Sequence, residues 1–228
     1  MLFVFPIVLI PVAWLLEHIF KSRKIISMST TMWGKLAVWG TLSRVRTYGR
    51  ENLPRGEENV VYVVNHQGFF DIPLVLGWID GRIRFIAREN LFSVPVLGLW
   101  MKFIGCIPIS RKASRDELRR FEGISNVLSS GAVLAIFPEG TRSFDGTFGK
   151  FHTSAFRPAR IAKSTIVPVL LWGSHKILPR GGKIIRPTGV KICIDEPIRF
   201  EKYSETSPKE LADIILKKFQ IMKERISS

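Results

Sequence analysis

Apolar positions along the chain fall into three kinds of run. Val60–Val64, Val133–Phe137, Ile166–Leu171 and Val190–Ile194 are short, uninterrupted and rich in β-branched residues. Such runs predict strands covered on both faces. Arg84–Arg88 and Cys106–Ser110 add two more strand candidates. A second kind of run repeats every three or four residues. Ser114 to Gly131 predicts a helix in which Leu118, Phe121 and Leu128 share a face. Ser114 and Glu117 form a capping box at its start, and Gly131 stops it. Ile72–Ile79 and Ala155–Lys163 read as shorter helices. Ser207, Pro208 and Glu210 begin a last one, with an apolar face of Leu211, Ile215, Phe219 and Met222. Phe92–Phe103 is apolar but broken by Pro95 and Gly98; it reads as core or as the lining of a tunnel for an apolar chain. Helices alternating with doubly covered strands predict an α/β fold, with a mixed, mostly parallel sheet flanked by helices.

The third kind of run is at the amino end. Leu2–Leu16 holds no charge, and Pro6 and Pro11 interrupt it. As a helix it would span about 22 Å, short of the roughly 30 Å hydrocarbon core of a bilayer. Lys21, Arg23 and Lys24 follow it rather than precede it, and no small-residue cleavage site comes after, so a retained membrane element is expected rather than a signal peptide. Met28, Met32, Leu36 and Trp39 then recur at helical spacing beside Trp33 and Lys35. An amphipathic helix with Trp and basic residues suits an anionic membrane surface. The chain is therefore read as a helical membrane-associating element over residues 1–47 and an α/β domain over 48–228. If the leader spans the bilayer, its basic flank sets the domain on the cytoplasmic face.

Charge sharpens this reading. Lys and Arg number 34 against 19 Asp and Glu, a net +15, which points to an anionic partner. A nucleic-acid binder is disfavoured, because the aromatic residues sit inside apolar runs rather than among lysines and arginines. Cys106 and Cys193 lie in apolar, strand-like runs and read as buried free thiols in a reducing compartment. No cluster has metal-ligand spacing.

The candidate chemistry lies just after the first buried strand, in Asn65-His66-Gln67-Gly68-Phe69-Phe70-Asp71. Residues five apart are about 140° apart on a regular helix, so a His66–Asp71 pairing needs a bend, which Gly68 permits. Asp71-Ile72-Pro73 also resembles a helix start with Asp71 as N-cap, and one carboxylate can serve both purposes. A glycerol-type hydroxyl is far too weak an acid to lose its proton to free imidazole, whose pKa is about 6.5. A positioned histidine removes the proton as the new bond forms, and a carboxylate on its other nitrogen fixes the tautomer and stabilises the imidazolium. There is no Gly-x-Ser-x-Gly elbow, which favours direct attack on an acyl thioester without an acyl-enzyme. From spacing alone, a capping aspartate beside an ordinary loop histidine is the commoner arrangement.

Four blocks in order carry a family resemblance. They are the His-x4-Asp segment Asn65–Asp71; Arg84-Phe-Ile-Ala-Arg88-Glu89-Asn90-Leu91 running on to Gly105-Cys-Ile-Pro-Ile-Ser-Arg111; Phe137-Pro138-Glu139-Gly140-Thr141-Arg142-Ser143; and Ile166-Val167-Pro168-Val169. The chain resembles the glycerolipid acyltransferase family, and within it the bacterial 1-acyl-glycerol-3-phosphate (lysophosphatidic acid) acyltransferases. The resemblance implies that His66 is the general base and Asp71 its orienter. It implies that Arg142 and Arg88 hold the acceptor phosphate, with Arg111 a weaker candidate. Gly140 would let backbone approach the substrate beside Thr141, and Glu139 would hold an arginine or the glycerol. A salt bridge between Arg142 and Glu139 is the structural alternative. Many relatives carry Phe-Lys-x-Gly-Ala after the third block; here it is Phe151-His152-Thr153-Ser154-Ala155, and Lys150 is the candidate to supply the missing charge. The implied reaction moves a fatty acyl group from coenzyme A or acyl-carrier protein, as co-substrate, to the sn-2 hydroxyl of lysophosphatidic acid, giving phosphatidic acid at the cell membrane with no cofactor. Glycerol-3-phosphate or another lyso-lipid as acceptor, or a non-catalytic anionic-lipid-binding protein, are the alternatives.

Overall fold

The computed structural model describes residues 23–54, 59–95, 97–109, 116–143 and 145–227. The leader expected at residues 1–20, the Ser114 side of the capping box and Arg111 lie outside them. Seven strands form one sheet in the order β1-β7-β6-β2-β5-β3-β4. The strands are β1 Arg44–Tyr48, β2 Val60–Val64, β3 Arg84–Arg88, β4 Ile107–Ile109, β5 Val133–Ile136, β6 Thr165–Trp172 and β7 Gly189–Ile194. β6 and β7 are antiparallel; the other pairings are parallel. β7 and β1 therefore run against the rest, which makes the sheet mixed and mostly parallel, as its uninterrupted apolar runs predict.

Alternate residues of each central strand feed the two halves of the core. On one face Val60, Tyr62, Val64, Val133, Ala135 and Val169 pack under α1 (Arg23–Trp39), α2 (Asp71–Trp78) and α3 (Leu97–Phe103). On the other, Val61, Val63, Leu134, Ile136 and Leu170 meet α4 (Asp116–Ser129), α5 (Arg157–Ile161) and α6 (Pro208–Ser227). The apolar face foreseen for the last helix is the buried one, with Leu211, Ile215, Phe219 and Met222 at 0–1% exposure. α6 opens with a reciprocal capping box: Ser207 N–H donates to Glu210 Oε2 at 2.7 Å, and Glu210 N–H to Ser207 Oγ at 3.2 Å.

α1 is tightly docked on the domain. A Cβ on Gly34 would stand 2.5 Å from the Pro73 carbonyl oxygen, and one on Gly77 2.9 Å from the Lys35 nitrogen. Only paired glycines let α1 and α2 approach so closely. Trp33 and Val38 are buried in this contact, while Met28, Met32, Leu36 and Trp39 keep 64%, 47%, 38% and 55% of their surface exposed. The apolar stripe read from the sequence thus faces away from the protein.

β1 corrects the boundary drawn near Thr47. Arg44–Tyr48 pairs in register with Gly189–Cys193, so the sheet begins before that boundary. Arg44 and Arg46 sit on the exposed positions of this edge strand, where charge discourages pairing with other chains. No helix among the described residues is long and apolar enough to cross a membrane.

Candidate active site

β2, β5 and β6 are parallel neighbours, so their carboxyl ends meet at one edge of the sheet, where α/β proteins gather ligands. His66 follows β2, the Phe137–Arg142 segment follows β5, and Ser174 follows β6. Arg88 is the last residue of β3 and is exposed. Asn65 fixes the first of these loops. Its side chain donates to the Leu171 carbonyl at 3.0 Å and accepts from the Leu171 amide at 2.7 Å.

The His66–Asp71 pairing is present, with His66 Nδ1 2.7 Å from Asp71 Oδ2. The Asp71 side chain is fully buried, and that of His66 retains 20% exposure. The bend differs from the one expected. Asp71 is the first residue of α2, behind the N-cap Phe70, and caps no amide of its own helix. Its Oδ2 instead reaches back to accept from the Gln67 and Gly68 amides at 2.6 and 2.8 Å, and Oδ1 accepts from Ser174 Oγ at 2.6 Å. The loop is wrapped around the carboxylate. Gly68 matters through close approach, since a Cβ there would lie 3.3 Å from the Ser174 carbonyl oxygen. Oδ2 already accepts from two backbone amides, so its contact with the ring is assigned as a donation from Nδ1. Nε2 then carries the lone pair. The imidazole stacks on Phe137, ring centroids 4.3 Å apart, and Phe85 stacks behind Phe137 at 6.0 Å.

Glu139 is buried at 4% exposure, and both its oxygens accept from backbone amides. Its Oε1 accepts from the His66 amide at 2.9 Å and its Oε2 from the Gly149 amide at 2.8 Å. It clasps the β2 and β5 loops together, holds no arginine among the described residues, and lines a cavity with Arg142. Burial raises its pKa above the usual glutamate value, opposed by the His66 and Gly149 amides. Ser143 N–H donating to the His66 carbonyl at 2.9 Å adds a second clasp. Gly140 takes φ +63°, and a Cβ there would meet the His152 ring at 3.2 Å. The glycine therefore serves a left-handed turn beside the His152 ring.

Arg142 makes no ion pair with Glu139. Its guanidinium lies 3.8 Å over the centre of the Phe69 ring, a cation–π arrangement that holds it beside the His-x4-Asp loop. Desolvation, then the charges of Arg180 and Arg88, lower its pKa, while Asp71 opposes them. Arg180 was not foreseen. It donates from Nη1 to the Arg142 carbonyl at 3.3 Å and lines, with Thr141, Arg142, Ser143 and others, a cavity of about 320 Å³. Arg142 thus feels the positive charges of Arg180 and Arg88, and an anion beside it would relieve that repulsion. Lys150 is exposed and is not among the residues lining that cavity. Gln67 also escaped sequence reading. Its Oε1 accepts from the Gly173 amide at 3.1 Å and lies 3.2 Å from His175 Nδ1, and its Nε2 donates to the Gly146 carbonyl at 3.2 Å. Burial pushes the thiol pKa of Cys106 up to about 11 and raises that of Cys193, so neither is an activated nucleophile.

A histidine–carboxylate pair whose loop carries Phe69 under the Arg142 guanidinium, at the carboxyl edge of a mixed sheet, is one arrangement of an acyl-transfer site. Residues 44–172, more than half of the chain, match the Acyltransferase family, and the chain belongs to that family. It is 33% identical over 181 residues to the chloroplastic 1-acyl-sn-glycerol-3-phosphate acyltransferase of Arabidopsis thaliana, covering 79% of this chain and 50% of that one. It is 27% identical over 168 residues to the 1-acyl-sn-glycerol-3-phosphate acyltransferase of Bacillus subtilis, covering 73% and 79%. The chain spans about half the length of the plant relatives it matches. Its fold superposes on the 1-acyl-sn-glycerophosphate acyltransferase PlsC of Thermotoga maritima with a TM-score of 0.82 and 27% identity, covering 95% of this chain and 86% of that one.

Proposed function

We propose that the protein transfers a fatty acyl group from an acyl thioester, of coenzyme A or acyl-carrier protein, to the sn-2 hydroxyl of 1-acyl-glycerol-3-phosphate. The product is phosphatidic acid. The observation that carries this reading is the 2.7 Å contact of His66 Nδ1 with a fully buried, fourfold hydrogen-bonded Asp71. The contact leaves Nε2 as the basic face of the ring. In the proposed step Nε2 takes the acceptor's hydroxyl proton as the oxygen attacks the thioester carbonyl. Asp71 stabilises the imidazolium that forms, and the ring then returns the proton to the departing thiolate. The acyl group passes directly to the acceptor, with no acyl-enzyme.

Arg142 and Arg88 are assigned to the acceptor phosphate, Arg142 because it is desolvated among like charges next to the catalytic loop. The phosphate holds the glycerol in place, and its hydroxyl is presented to His66. Membrane association is part of the proposal. The outward stripe Met28, Met32, Leu36 and Trp39 on α1, joined to a net charge of +15, suits the interface of an anionic membrane. The segment before β1, residues 1–43, is assigned as the membrane-associating element, with the catalytic domain on the cytoplasmic face.

The test is a panel of acceptors offered to the purified protein in mixed micelles with each thioester. Phosphatidic acid from lysophosphatidic acid, at rates well above those with glycerol-3-phosphate, is the expected result. Folded protein that makes no phosphatidic acid from either donor would overturn the assignment.

A further inference from the structure

The eight residues Arg180–Pro187, between β6 and β7, are all exposed. Within them Ile184 and Ile185 present 71% and 42% of their surface to solvent, an uncommon position for two adjacent large aliphatic side chains. Lys183 and Arg186 bracket them, and Lys176 and Arg180 precede them. The loop has a defined base. Gly182 N–H donates to the Pro179 carbonyl, and Arg186 N–H to the Ile177 carbonyl, both at 2.8 Å.

The topology fixes where this loop points. β7 runs against β6, and β1 runs parallel to β7. The amino ends of β7 and β1 therefore lie at the same sheet edge as the carboxyl ends of β2, β5 and β6, the edge that holds His66. Two bonds join these ends: Thr188 N–H donates to Ser43 Oγ at 3.1 Å, and Arg44 N–H to the Thr188 carbonyl at 3.0 Å. The loop thus borders the end of α1 and the segment that follows it, where Trp39 is 55% exposed and Leu42 78% exposed. Its first residue, Arg180, touches the Arg142 carbonyl at the cavity.

We propose that the Arg180–Pro187 loop is a second membrane-contact element, which inserts Ile184 and Ile185 into an anionic lipid surface while Lys183 and Arg186 engage its headgroups. Two apolar side chains between basic residues match the layering of a membrane interface, apolar below and anionic above. With α1, the loop gives the protein two contacts on one side of the site and sets the cavity mouth against the bilayer. A membrane-borne acceptor then reaches Arg142 and His66 without leaving the interface. This inference rests on the membrane reading of α1, and its test separates the two.

The full chain, with Cys106 and Cys193 replaced by alanine, carries an environment-sensitive fluorophore at Ile185→Cys or, separately, at Met32→Cys. Each is mixed with vesicles of phosphatidylglycerol and phosphatidylcholine containing a spin-labelled lipid. The expected result is a blue shift and lipid quenching at both positions. A response at position 32 alone would overturn the loop's role and leave the α1 reading standing; no response at either would overturn both. A lipid-independent response that grows with protein concentration would mean self-association and would also overturn the proposal. In the otherwise unmodified chain, Ile184→Asp/Ile185→Asp is expected to weaken vesicle partitioning at least about tenfold, while turnover of a monodisperse short-chain acceptor is unchanged. Unchanged partitioning would contradict it.

Discussion

Replacing Asp71 with asparagine keeps the shape of the site and removes its charge. Three donors, from His66 Nδ1 and the Gln67 and Gly68 amides, converge on Oδ2. Asparagine will turn its oxygen to them, because its NH₂ there would face three N–H groups. The NH₂ then meets Ser174 Oγ, which can accept. The tautomer of His66 survives, and what is lost is the anion facing the imidazolium in the transition state. A bond to a charged partner exceeds a neutral one by about 1 kcal/mol or more. The full attraction of a unit pair at about 4 Å, with an effective dielectric of 20, is about 4 kcal/mol. At about 1.4 kcal/mol per factor of ten, kcat should fall between about 5- and 1,000-fold, with the acceptor KM within about threefold of wild type. Initial rates of phosphatidic acid formation, beside circular dichroism to confirm folding, measure this. A folded Asp71→Asn enzyme within threefold of wild-type kcat would refute the role given to the carboxylate.

Other substitutions separate the remaining parts. His66→Ala should stay folded and lose activity by orders of magnitude, read in the same rate assay; near-normal turnover would remove it from the mechanism. Arg142→Ala should mainly raise the KM for the acceptor, and a change confined to donor KM would reassign the cavity. Glu139→Gln sets an NH₂ against one of the two amides the carboxylate now binds, so thermal melting should show a loss of about 1–3 kcal/mol. Desolvation, then Lys176, lowers the pKa of His175. A base with a depressed folded pKa binds fewer protons folded than unfolded, so the stability of its neutral form holds above the unfolded value of about 6.5 and is lost as pH falls below it. Between pH 7 and pH 5 the melting temperature of the wild type should therefore drop further than that of His175→Gln.

The central strands were legible because each is a short, unbroken apolar run, and α6 because its apolar face repeats at helical spacing behind a capping box. β1 was not, because Arg44-Val-Arg-Thr-Tyr48 is a polar edge strand beside an apolar helix, and its partner β7 lies more than 140 residues away. The His66–Asp71 pair could be named from spacing and resemblance. The way it is held could not, since Ser174 and the Leu171 backbone arrive from β6 only after folding. The two amide partners of Glu139 were hidden for a related reason. A carboxylate within an arginine-containing motif suggests a salt bridge, whereas burial hands both its oxygens to backbone amides. Arg180 sits among ordinary surface charges in the sequence, and only its contact with the Arg142 carbonyl brings it to the site. The outward stripe of α1 was readable as a pattern. That its opposite face docks on α2 through Gly34 and Gly77 needed the packing.

The proposed reaction is direct transfer to the acceptor, driven by His66 against Asp71. Its most direct test is a single-turnover reaction with a radiolabelled acyl thioester, quenched in acid with and without lysophosphatidic acid. The prediction is label in phosphatidic acid only when the acceptor is present, none bound to protein in either case, and no product from His66→Ala. Label retained covalently on the protein, or product from His66→Ala at the wild-type rate, would contradict it.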